Sequence, residues 1–270
     1  MSTSVPKGPL AARWRAVTLP EIRAGSVSRV PVEVENAGTV DWRSAGGGIR
    51  VAYHWLDDRG NAIVWDGLRT PLPEPVAPGA VLRLDADVRG PLPPGRYRLA
   101  LDLVSEGRLW FGEVGNALWE TDVEVAPRIE RRLAARGGDA TALAAQEEPL
   151  VAEDEAEAIA YLAPGAAPLP DWSRRVLDAH QEGYGLVGGS IHAGRSRRLD
   201  RRGAALAPWV PAGGRSPNFP HPLLCPSAVR GFEPDWTDAV AGLPAARPPA
   251  DRWFGEPWLY DARIGIRLGA

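Results

Sequence analysis

Cysteine is nearly absent from this chain of 270 residues: Cys225 stands alone, which excludes an intramolecular disulfide and any multi-cysteine zinc or iron–sulfur site. Lysine is as scarce. Lys7 is the only one, and every other cation is arginine; a P-loop or Schiff-base lysine has no candidate beyond this position ahead of the first strand pattern. A surplus of one charge sign is missing too, since 31 Lys plus Arg face 34 Asp plus Glu for a net charge of −3, and this excludes the basic footprint of a nucleic-acid binder. No stretch reaches the ~20 apolar residues that span a bilayer. Met1 to Pro9 lacks the apolar region of a signal peptide, so the expectation is a soluble, cytoplasmic chain.

Glycine and proline are plentiful instead, with 30 and 27 copies, beside 44% hydrophobic residues. Such a chain is rich in turns yet apolar enough to bury a core, and its length fits two domains at ~100–200 residues each. From Trp14 to Val125 short runs alternate with period two between turn residues. Val30, Val32 and Val34 share one face, and Pro31 among them points to an edge strand or a bulge because it donates no ladder hydrogen bond. Ile49, Val51, Tyr53 and Trp55 alternate with Arg50, Ala52, His54 and Leu56, and Asp57 to Asn61 turn the chain into a hairpin partner. Leu82 to Val88, Tyr97 to Leu103, Leu109 to Phe111 and Trp119 to Val125 follow. The expectation is an immunoglobulin-like antiparallel β-sandwich over residues 1–126 within a mainly β chain.

An ordered series of motifs then carries a resemblance: Val32 to Gly38, Trp42, Tyr53-His54-Trp55, Asp66 to Pro73, Val76 to Gly79, Pro94 to Tyr97 and Glu106 to Phe111. Residues 14 to 126 resemble the immunoglobulin-like accessory domains of bacterial glycosyltransferases and, more distantly, the carbohydrate-binding domain of O-antigen exporters. The resemblance implies a role in handling surface polysaccharide. Aromatic faces stack on sugar rings while charged groups serve the hydroxyls. Trp55 and Trp119 share a face with core positions, whereas Trp65, Asp66, Arg69, Glu106 and Trp110 lie in connections and are the candidate carbohydrate-binding set. The alternative for Asp66 to Arg69, and the one the local charges favour, is a turn held by its own ion pair. His54 points outward on its strand without a second metal ligand, as a solvated or cross-strand histidine.

Residues 127–150 shift to arginine, glycine and alanine, followed by Glu147, Glu148, Glu153, Asp154, Glu155 and Glu157. This composition predicts a linker with solvated charge. The remainder, residues 151–270, is expected to be a smaller, irregular, proline-rich α/β segment. Within it the pattern predicts a strand at Ala158 to Leu162, a helix from Trp172 to about Gln181 capped by Asp171, a strand at Tyr184 to Val187, and order again from Trp258 to Leu268.

Ile159 to Gly165, Pro170 to Trp172 and Val187 to Gly189 together resemble the middle of a family 2 glycosyltransferase. Tyr260 to Leu268 is similar to the stretch carrying that family's catalytic base, which places Asp261 on the base. Ala163-Pro164-Gly165 replaces the family's metal-holding Asp-x-Asp and offers no charged oxygen ligand, so the segment reads as a degenerate remnant with no metal and no cofactor. Gly188 to His192 misses the nucleophile elbow, since His192 stands where the second glycine belongs. His221 and Cys225 lack further ligands. Arg195, Arg197, Arg198, Arg201 and Arg202 form a basic cluster able to grip an anion. The expected function is a non-catalytic accessory or carbohydrate-binding protein of surface-polysaccharide biosynthesis, with a glycan and a glycosyltransferase or other protein as partners. The alternatives are a transferase using Asp261 and a structural interaction module.

Overall fold

The structure is a computed structural model describing residues 8–46, 48–193, 215–216, 227–230 and 255–268. The chain is mainly β and divides into two compact units, the first ending at Ala126 and the second beginning at Pro127.

In the first unit β1 (Ala12–Val17), β2 (Val27–Asn36) and β6 (Val81–Arg89) form one antiparallel sheet in the order β1-β2-β6. A second antiparallel sheet runs β4 (Ala62–Val64), β3 (Ile49–Leu56), β7 (Gly95–Ser105), β8 (Leu109–Trp110). In it β5 (Thr70–Pro71) also pairs with β3, and β9 (Trp119–Val125) with β7. Alternation explains the core: Val30, Val32 and Val34 of β2, Val51, Tyr53 and Trp55 of β3, and Leu99, Leu101 and Leu103 of β7 bury into one cluster with Trp42 and Phe111. Trp42 meets Phe111 edge-on at 5.7 Å. Asp57 shapes the β3–β4 turn by accepting the N–H groups of Arg59 and Asn61.

Pro31 departs from expectation, because β2 is the middle strand of its sheet. Its carbonyl accepts Thr18 N–H, and β1 ends at Val17 opposite Val32. The missing donor therefore falls where the neighbouring strand has run out.

In the second unit β10 (Leu133–Gly138), β11 (Ala158–Pro164), β15 (Ser227–Val229), β13 (Leu186–Ala193), β16 (Trp258–Leu268) and β12 (Ala167–Pro168) lie side by side in that order, with β14 (Arg215–Ser216) on β16. Helix α1 spans Ala140–Ala144 and α2 spans Trp172–Gln181. Trp172, Val176, Leu177 and Ala179 of α2 are buried with Leu133, Leu162, Val187, Leu259 and Ile266. Asp171 stands at the N-cap of α2 without capping it; its carboxylate takes the Arg175 guanidinium at 2.6 Å instead.

Residues 127–150 are not a linker. Leu133 to Arg136 pair in parallel with Ala158 to Tyr161, and Ile129, Leu133 and Ala134 are buried. The charges expected to be solvated pair with each other: Arg136 with Glu153, Arg132 with Glu157, and Arg131 with Glu148 and Asp178. The proline-rich region also holds more order than expected, because β15 lies between β11 and β13, antiparallel to both.

Candidate functional site

The outer face of the β3–β7 sheet carries the site. On β3 this face presents Arg50, Ala52 and His54; on β7 it presents Ala100, Asp102 and Val104, cross-paired as His54 with Ala100 and Ala52 with Asp102. Two segments fold over it. One is the loop from Trp65 to Arg69, drawn in where Gly67 N–H donates to the Tyr53 carbonyl. A Cβ at Gly67 would stand 2.6 Å from that carbonyl oxygen, so only glycine permits the approach. The other is the β7–β8 turn, which places Glu106 and then Trp110, whose ring packs on Ala52 and Val104.

All five residues expected in the set converge here. Arg69 sits at the centre: its Nε donates to Glu106 at 2.9 Å, its Nη1 to the Gly67 carbonyl at 2.7 Å, and its Nη2 to Asp66. Its guanidinium lies 4.6 Å from the centre of the Trp110 ring. Trp65 and Trp110 meet edge-on at 6.2 Å. Trp65 remains 52% exposed, whereas Trp110 is 9% exposed. Asp66 to Arg69 is thus a turn held by its own ion pair and, through Glu106, a bridge to the neighbouring turn. Arg50 reaches Glu106 at 3.4 Å.

His54 corrects its expected role. It is 2% exposed, with its ring stacked on Trp65 at 4.1 Å and tilted against Trp110 at 4.3 Å. Its Nδ1 donates to the Trp65 carbonyl. Among the described residues its Nε2 has no hydrogen-bond partner, and it lies 3.7 Å from Asp102. Asp102 is held by the N–H groups of Leu103 and Gly112. The sequence signal for this burial is the small, apolar character of Ala52, Ala100 and Val104 on a nominally outward face, which asks for a cover.

Chemically the site offers one accessible indole face beside a fixed row of carboxylate, guanidinium and carboxylate. A groove of about 410 Å³ on the other sheet, lined by Ala16, Thr18, Pro31, Glu33, Arg83 and Asp85 among others, has no aromatic ring to stack on.

In the second unit Asp261 is buried and committed. Its carboxylate takes Arg263 Nε at 2.9 Å, Nη2 at 2.6 Å and the Arg263 backbone N–H at 2.9 Å. The pairing register passes from Gly189 opposite Asp261 to Ser190 opposite Gly265, so residues 262–264 bulge out of β16 and Asp261 pins the bulge. Gly188 to Ser190 lie within β13 and not at a strand-to-helix turn. A pair not foreseen is His180 with Ser227: both are fully buried, Nδ1 donates to the Tyr184 carbonyl at 2.8 Å, and Nε2 accepts the Ser227 hydroxyl at 2.7 Å. Burial pushes the His180 pKa down to about 4. Arg195, Arg197, Arg198, Arg201 and Arg202 lie outside the described residues, as do His221 and Cys225. Among the described residues no group of three or more His, Cys, Asp or Glu side chains could hold a metal ion, and no helix is long and apolar enough to cross a membrane.

No protein-family model matches the chain, and no curated protein does. Among solved structures it is similar to the ASH/PapD-like domain of human CEP192 (PapD-like domain 7), with 14% identity over 46% of this chain and 91% of that one, at a TM-score of 0.23.

Proposed function

We propose that the first unit is an immunoglobulin-like sandwich that binds carbohydrate through Trp65, Asp66, Arg69 and Glu106, and that the protein is a cytoplasmic, non-catalytic accessory of surface-polysaccharide biosynthesis. The observation that carries this reading is the half-exposed indole of Trp65 beside the Asp66–Arg69–Glu106 row. An aromatic face covers the apolar side of a pyranose, and fixed charged groups bond its hydroxyls without paying again to be ordered. Trp110 and His54 support the platform from beneath. The second unit, with Asp261 spent on its own bulge, serves in this reading as a partner-facing body, a glycosyltransferase being the partner class that the sequence resemblance implies.

Calorimetric titration with surface-polysaccharide fragments tests the reading. Saturable binding that weakens at least about tenfold in Trp65→Ala, near 1.4 kcal/mol, supports it. Binding untouched by that change, or saturable binding of sugar nucleotides instead, overturns it.

A further inference from the structure

His54 is buried between two indoles with one ring nitrogen bonded and the other facing a carboxylate. The Trp65 carbonyl only accepts, so Nδ1 carries a proton. A neutral ring would then turn the lone pair of Nε2 toward Asp102 at 3.7 Å, two acceptors face to face in a site where the side chains are 2% and 5% exposed. A second proton removes that conflict: Nε2–H points at Asp102, and the cation lies stacked on Trp65 with Trp110 tilted against it.

The other charges nearby leave Asp102 to this role. Arg69, over Trp110, is matched by Asp66 and Glu106, and Arg50 also reaches Glu106. Across Ala100, β9 presents Glu120 on the same face.

We infer that His54 is a positioning residue of the carbohydrate platform and acts as an imidazolium paired with Asp102, so that the exposed indole of Trp65 is held in place by a proton. The inference rests on the proposed binding site for its biological meaning and on His54, Asp102 and the two tryptophans for its physics. Loss of the proton sets Nε2 against Asp102 and loosens the stack under Trp65.

Nitrogen-15 spectra of the imidazole rings and indole N–H groups of the full chain decide it, recorded over about pH 5 to 8, the range in which histidine charge changes. His54→Gln and Trp65→Phe assign the two signals. Asp102→Asn keeps one acceptor where the carboxylate supplies two, Oδ1 to Leu103 N–H and Oδ2 to Gly112 N–H, so the backbone amide signals of these two residues, recorded in the same variant, show that the turn persists. The expected result is an imidazolium at His54 that gives up its second proton at lower pH in Asp102→Asn, with the Trp65 indole signal shifting and broadening along the same curve. A His54 ring that titrates identically in Asp102→Asn, or an indole signal indifferent to it, overturns the inference. Glycan titration then separates the two proposals. With the proton coupling present, affinity that drops several-fold as pH rises, and becomes flat in His54→Gln, supports both; absence of binding at every pH sinks the carbohydrate reading while the coupling stands.

Discussion

Gly67 shows how much a single atom decides. Its N–H reaches Tyr53 because nothing occupies the Cβ position, and the Tyr53 carbonyl and ring would both lie 2.6 Å from an added methyl. Gly67→Ala is expected to cost about 1–3 kcal/mol of first-unit stability and to displace Asp66 and Arg69, which denaturant titration and a nitrogen-15 correlation spectrum would register. His180 makes the opposite point in the second unit, where a residue is constrained by its charge rather than its shape. Its pKa is held at about 4, against about 6.5 in an unfolded chain. Above pH ~6.5 the ring is neutral in both states and contributes no pH dependence. Between ~6.5 and ~4 the unfolded chain takes up a proton that the native ring refuses, so stability falls with acidification and levels off below ~4. The second unit should lose about 2 kcal/mol from this group between pH 7 and pH 5. His180→Asn should flatten that dependence in urea titrations at the two pH values; an unchanged slope would remove His180 as its source.

At the scale of elements, strands and helices with clear punctuation were legible and covered faces were not. Helix α2 and strand β16 have the bounds the pattern predicts, since Asp171 and Gly183 bracket the one and proline spacing frees the other. Two short windows, 65–69 and 106–110, stand out in the sequence because each mixes tryptophan with charge, and the fold brings the two together. The burial of His54 and Asp102 is not legible locally, because alternation puts both on the outer side of their strands and only the folding of two connections over that side covers them. Arginines and a Gly-Gly pair give strand β10 the composition of a linker, while its burial comes from parallel pairing with a strand some twenty-five residues on. That makes β10 an integral element with a measurable weight. Leu133→Ala should cost about 2–5 kcal/mol of second-unit stability and leave the first unit's transition in place; a neutral outcome by differential scanning calorimetry would return the segment to the status of linker.

At the scale of the molecule, each unit owns a core. The first closes on its last residues: Ala126 donates to the Ile22 carbonyl and accepts from Ala24, and β9 covers one edge of β7. A fragment ending at Ala126 is expected to give a cooperative thermal transition, while one ending at Leu118 loses β9 and should aggregate or melt without cooperativity.

The strand order of the second unit also dictates when it can exist. β13 has neighbours on both sides, β15 and β16, that are made after it, and β11 likewise waits for β15. Until β15 and β16 are translated, β11 pairs with β10 on one edge only and β13 with neither of its neighbours, whereas the first unit has every strand it needs by Ala126. Synthesis therefore leaves a finished head trailing an incompletely paired, aggregation-prone segment until β16 arrives, and it is in that interval that chaperone dependence should concentrate.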